Sequence, residues 1–229
     1  MESVIYIILI ILSIALFAFV FKINIKKAKS FKENKELEKI TDKFPENIEI
    51  AKEMLKILEN DEVKIEEAKD TGTSLYIAIT NKISIADMKN NYARIQTIAH
   101  ECLHSCQDRT LLLFNFFFSN ISMIYFIIAC MLTILKVFNN QTLQIAILML
   151  LMIIQFSVRI YLEIDAMTRA KYLAKEYMEK KKLCSEKEKD ILIKEYEKIN
   201  KVGIPFTIFD LLLNGLVRVL IYTIITVIV

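Results

Sequence analysis

Four stretches of this chain are apolar over lengths that soluble domains rarely sustain: 4–22, 111–136, 142–162 and 206–229. Each approaches or exceeds the ~20 residues a helix needs to cross ~30 Å of hydrocarbon. In hydrocarbon a chain must satisfy its own backbone hydrogen bonds, which leaves helices or a closed barrel. With only 3 glycines and 2 prolines in 229 residues, long helices are favoured over tight-turn β architectures. The first stretch carries no basic leader and no small-residue cleavage site, so it reads as a retained anchor.

Lysine and arginine placement predicts the orientation. Lys22, Lys26, Lys27, Lys29, Lys32 and Lys35 follow the first stretch, and Arg169, Lys171, Lys175, Lys180, Lys181 and Lys182 follow the third. The link between the second and third stretches has only Lys136 nearby, and the C-terminal end has no basic residue. By the positive-inside rule, residues 23–110 and 163–204 face the cytoplasm of a multi-pass protein of the cell membrane, with the N-terminus outside. The expected segments are a 1–22 anchor, a 23–110 α+β segment, a 111–162 transmembrane hairpin, 163–204 cytoplasmic helices and a 205–229 span. The fold class is therefore an α-helical multi-pass membrane protein with a small cytoplasmic α+β domain. The net charge of +3 is too small and too local to suggest a nucleic-acid partner. The four cysteines, Cys102, Cys106, Cys130 and Cys184, show no CxxC spacing and read as reduced.

Within the cytoplasmic parts, 46–59 has helical apolar spacing at Ile48, Ala51, Leu55 and Leu58. Residues 61–68, 74–80 and 83–86 read as strands. Asp87, Asn90 or Asn91 is expected to cap a helix running to about Asp108. Ser185 followed by Glu188 is a capping-box signature for a helix over 186–199.

The chemical signal lies in that helix, in His100-Glu101-Cys102-Leu103-His104. Residues i and i+4 of a helix share a face, so both imidazoles can bind one metal ion. Glu101 lies beside that face, placed to accept the proton of an activated water. The protein has only 2 histidines, and both are in this motif. A catalytic zinc usually takes three protein ligands, so a carboxylate must supply the third. Glu163 is the best candidate. It stands where the third stretch leaves the membrane, and a short hairpin brings that point near the end of the HExxH helix. Ala166 and Ala170 keep the adjoining face small enough for close approach. Asp165 and Arg169, four apart, are either a solvated ion pair or groups that orient a ligand or an oxyanion.

HExxHxxQ followed by a transmembrane hairpin and Glu-x-Asp-Ala-x-x-Arg-Ala resembles the YugP-like family of neutral zinc metallopeptidases, of the HExxH-plus-Glu type. It is more distantly similar to HtpX-type and CAAX-type membrane proteases. The matching residues are His100, Glu101, His104 and Gln107, then Glu163, Asp165, Ala166, Arg169 and Ala170. The resemblance implies Zn2+ held by His100, His104 and Glu163, with Glu101 as general base and a protein or peptide substrate. Gln107 joins Asp165 and Arg169 as a supporting residue. The family commonly has glycine before the second histidine; Leu103 stands there and is expected to fill space near the metal. The alternative to an active peptidase is a non-catalytic membrane adaptor, or a degenerate peptidase that keeps the fold.

Polar residues also fall inside the apolar stretches. Asp210, Asn214 and Arg218 form one stripe on the last, and Arg159 lies one turn before Glu163 on the third. An Arg159–Asp210 pair is expected, with Gln155 reaching Asn214. Helix-to-helix adhesion is the first reading of this set, and a water-filled path the second.

Overall fold

The computed structural model describes residues 2–24, 34–68, 73–138 and 140–229. In chain order the elements are α1 (Glu2–Val20), α2 (Lys35–Thr41), α3 (Asn47–Ile57), β1 (Lys64–Glu67), β2 (Leu75–Ile77), β3 (Lys82–Ile85), α4 (Arg94–His104), α5 (Arg109–Ile134), α6 (Gln141–Lys181) and α7 (Glu186–Ile228). The chain divides into two compact units: 1–23, 114–161 and 205–229 form one, and 24–113 with 162–204 form the other. Lys26, Lys27, Lys29 and Lys32 of the basic cluster lie outside the described residues.

The first unit is built from α1 and parts of α5, α6 and α7. These four helices are each long and apolar enough to cross a membrane. Their outward surface is apolar: Ile8, Leu12, Phe117, Ile124, Leu150 and Ile153 are all exposed. Water would penalise such a continuous patch, and hydrocarbon would not. The interior is narrow, formed by Ile10, Ala129, Ile145, Leu148, Leu216, Val219 and Tyr222. Polar side chains tie the helices where packing alone is thin. The Thr133 and Tyr222 hydroxyls lie 2.9 Å apart, and Gln155 donates to Ser119 Oγ at 2.9 Å.

The second unit holds a three-stranded sheet of order β1-β3-β2, with β1 parallel and β2 antiparallel to β3. In register, Ile83 stands opposite both Ile65 and Tyr76. β2 is shorter than the expected 74–80, because the chain turns from Ala78 onward into Asn81, whose φ of 48° is left-handed. On α3 the buried face is Ile50, Ala51, Met54 and Leu55, with Ile48 and Leu58 only partly covered. Arg94 is buried and its guanidinium donates to the carbonyls of Thr41, Phe44 and Pro45 and to Asn47 Oδ1. It thereby closes the carbonyl end of α2 and fixes the turn into α3.

The helix ends also differ from the sequence expectation. The HExxH helix ends at His104, not at about Asp108: residues 105–108 form a turn, and Asp108 Oδ1 accepts the Leu111 N–H to start α5. No side chain caps α4; Asn91 Oδ1 instead accepts the Ala93 N–H in the turn before it. The expected helix 186–199 and the last apolar stretch are one helix, α7, with Pro205 inside it. Proline removes one backbone donor from a helix interior, but buried side chains on both sides hold this one together. Leu192, Tyr196 and Asn200 are buried before Pro205, and Leu216, Val219 and Tyr222 after it.

Candidate metal centre

The second unit brings α4 against the C-terminal part of α6. On α4 the apolar positions Ile95, Ile98, Ala99, Cys102 and Leu103 recur at helical spacing and are buried. On α6, Ala166, Ala170 and Ala174 are equally buried, with Leu173 and Tyr177 beside them. Alanines on both faces let two helices approach closely. Leu103, next to His104, is 2% exposed and belongs to this core.

With α4 anchored by that face, His100 and His104 project from the other side. Their Nε2 atoms lie 3.0 Å apart and their rings are nearly perpendicular, at 88°. Glu163 Oε2 of α6 lies 3.5 Å from His100 Nε2 and 3.7 Å from His104 Nε2. The three side chains are 12–23% exposed. Bonds of ~2.0–2.1 Å to a tetrahedral ion place neighbouring ligand atoms about 3.3 Å apart. The observed 3.0–3.7 Å separations bracket that value. Two imidazole nitrogens and a carboxylate oxygen are also the donor types that zinc accepts in open sites. The residues present therefore fit the ion, and His100, His104 and Glu163 are the group among the described residues able to hold it.

The surroundings prepare these donors. Gln107, in the turn after α4, donates through Nε2 to the Leu162 carbonyl at 2.8 Å and to Asp165 Oδ2 at 2.9 Å. Both partners are acceptors, so the amide orientation is fixed and Oε1 faces His104 Nδ1 at 2.8 Å. His104 must then carry its proton on Nδ1, leaving the Nε2 lone pair for a metal. Arg169 reaches Asp165 Oδ2 at 3.4 Å and extends the chain of contacts outward.

Charges follow the same geometry. Burial pushes the Glu163 carboxyl up, but the imidazoles of His100 and His104 beside it outweigh that effect and hold the group well below the usual range. The same Glu163 contact holds His104 above its usual value, against the opposing effect of burial. Glu101 is 7% exposed, and burial raises its carboxyl despite the nearby histidines. Its Oε2 accepts the Tyr76 N–H of β2 at 2.8 Å. This contact escapes sequence reasoning because a backbone amide carries no side-chain signal. The role of Arg94 escapes it too, since a lone arginine has none.

Arg159 and Asp210 both belong to the first unit and line one cavity there. Gln155 lines the cavity too, but it bonds to Ser119 rather than Asn214, whose own amide donates to Asp210 at 3.2 Å.

A HExxH helix joined by a carboxylate from a later helix defines the class: a protein that gathers two imidazoles and a glutamate into a group that could hold a metal ion. More particularly, the chain belongs to the putative neutral zinc metallopeptidase family, whose family model matches residues 5–194. That match runs through every element of the candidate centre. Neither the curated proteins nor the solved structures contain a significant match to this chain.

Proposed function

We propose that this protein is a membrane-embedded zinc metallopeptidase that hydrolyses peptide bonds of membrane-associated or cytoplasmic-face proteins. The observation that carries the reading is the convergence of Glu163, far along the chain, with His100 and His104 to within 4.8 Å of one another. When bound, zinc would supply Lewis acidity, making a water acidic near neutral pH and polarising a carbonyl. Glu101 takes the proton of the attacking water and passes it to the leaving amine. The Tyr76 amide holds the Glu101 carboxylate in position for this. β2 is an edge of the sheet, so a substrate strand laid along it would run past Glu101. Gln107 and Asp165 hold the His104 ring, and Arg169 steadies Asp165. The basic residues flanking the apolar helices favour a site on the cytoplasmic side.

The test is metal analysis of the detergent-purified protein together with proteolysis of an unfolded reporter. Wild type should carry about one zinc per chain, and Glu163→Ala should lose most of it. Glu101→Gln should keep its zinc and lose ~10²–10⁴-fold in hydrolysis. Zinc retained in full by Glu163→Ala would overturn the ligand set. Full hydrolysis by Glu101→Gln would overturn the mechanism.

A further inference from the structure

Through one side chain, the N-terminal part of α7 reaches both helices that carry the candidate ligands. Asn200 Oδ1 accepts from Gln96 Nε2 of α4 at 2.7 Å, and Asn200 Nδ2 donates to the Met167 carbonyl of α6 at 2.9 Å. Gln96 stands four residues before His100, and Met167 four residues after Glu163. Four residues are about one helical turn, a rise of ~6 Å. Each partner of Asn200 therefore belongs to the turn next to a candidate ligand. Gln107 forms the matching link at the other end of the site, to the Leu162 carbonyl and Asp165. α4 and α6 thus run in opposite directions past the site, and the two amides bracket it, Gln107 at one end and Asn200 at the other.

Their partners set the orientation of both amides. The Met167 carbonyl can only accept, so Asn200 turns Nδ2 to it and Oδ1 to Gln96, which must present its own NH2. Gln96 and Asn200 are 7% and 8% exposed. Burying amides is costly unless they are paired, and Gln96 Oε1 has no hydrogen-bond partner among the described residues. Two apolar side chains would join α4 to α7 without that cost. They would not supply direction: a hydrogen bond fixes distance and angle, whereas apolar packing tolerates repacking. Gly203, one turn further along α7, lets the helices close in at the same place, since a Cβ there would lie 3.2 Å from Met167 Cε.

We infer that Asn200 is a positioning residue of the metal centre: by tying Gln96 to the Met167 carbonyl it sets the spacing of α4 and α6, and so the distance of Glu163 from the two imidazoles. The inference deepens the proposed function and rests on its ligand set. Glu163 meets His100 and His104 across the gap between two helices, and metal bonds tolerate only ~0.2 Å of error. With the Asn200 link removed, the Gln107 link holds that gap at its own end only, and a small pivot of α6 changes the reach of Glu163. Asn200 acts through Gln96 and Met167, so its effect falls on metal affinity and geometry, not on the identity of the donors.

The experiment uses the detergent-purified full chain. Zinc affinity is measured by competition with a chromophoric chelator, beside the unfolding midpoint of the metal-free protein. Gln96→Leu/Asn200→Leu removes both ends of the link and leaves no buried amide unpaired, so the midpoint should stay at or above that of wild type. Its zinc binding should nevertheless weaken ~10-fold, the low end for losing a supporting contact of a metal site. The visible bands of the cobalt(II)-loaded protein, which report ligand geometry, should shift in the same variant. Tyr196→Phe is the counterpart: it removes the bond from Tyr196 to the Tyr92 carbonyl, which docks α7 on the turn before α4. It should lower the midpoint and leave zinc affinity and the cobalt bands unchanged. Asn200→Asp keeps the acceptor for Gln96 and loses the donor to Met167, so its affinity should lie between wild type and the double variant; it carries the test if the double variant does not fold. Unchanged zinc affinity in either Asn200 variant, or a zinc loss in Tyr196→Phe as large as in the double variant, would overturn the inference and leave the ligand set standing. Full zinc retention by Glu163→Ala in the same titration would overturn the ligand set itself, and the inference with it.

Discussion

His104 shows how one side chain is prepared for its task by a residue three positions away. Gln107 can present its carbonyl to the imidazole only because Leu162 and Asp165 take both hydrogens of its amide. Gln107→Ala should therefore weaken zinc binding by ~10–100-fold, the range for losing a partner of a metal-bound histidine. Competition with a chromophoric chelator measures this, and unchanged affinity would show that the amide does not orient the ring. Gln107→Glu keeps the acceptor but gives up the donors to Leu162 and Asp165. It also sets a carboxylate beside Asp165, so affinity should fall between wild type and alanine.

The helix ends carry the clearest local chemistry. Ser185 and Glu188 form the expected reciprocal cap: the Glu188 N–H donates to Ser185 Oγ, and Glu188 Oε2 accepts the Ser185 N–H. Ser185→Ala should cost about 1 kcal/mol, read as a lower unfolding midpoint in detergent. Lys43 donates to the same Glu188 carboxylate, and with the Ser185 donors it holds the carboxyl down to about 2. A depressed carboxyl stabilises the fold above its unfolded pKa and loses that contribution as pH falls through the folded one. The stability gap between wild type and Glu188→Gln should thus be full at pH 7 and shrink between about pH 5 and pH 2. A gap that stayed constant over that range would exclude the ionised form as its source. At the end of α3, Glu59 takes a left-handed φ of 54° in a chain short of glycine. Asn60 donates to the Leu55 carbonyl there, closing the helix as a glycine normally would. Glu59→Gly should stabilise by about 1 kcal/mol, since glycine meets no Cβ penalty in that conformation. Chemical denaturation would show it as a higher midpoint at unchanged slope.

For the molecule as a whole, a metal at His100, His104 and Glu163 would cross-link α4 to α6. Anything that binds the folded form alone stabilises it, by about 2.7 kcal/mol at a free concentration 100 times Kd. Chelation should therefore lower the unfolding temperature of wild type and leave Glu163→Ala unchanged. An equal shift in both would place the metal elsewhere. The orientation expected from lysine and arginine placement is testable through Cys106, which is exposed beside the site. A membrane-impermeant maleimide should label it in inverted vesicles and not in intact cells. The reverse pattern would put the site outside.

Much of this was legible locally, and some of it could not be. Apolar length alone marked the four long helices, because spanning hydrocarbon sets a minimum length that few other structures need. The i, i+4 geometry of a helix alone puts both histidines on one face. The small faces at Ala166 and Ala170 were legible for the same reason. Local patterns failed where distant contacts decide. Packing on both sides of Pro205 made one helix of two expected segments. That Tyr76 holds Glu101, that Gln107 fixes the His104 tautomer and that Glu163 lies within 4 Å of both imidazoles are facts of tertiary structure. Sequence spacing determines which side chains share a face of one helix. Only the packing of a second helix against it decides which carboxylate meets them.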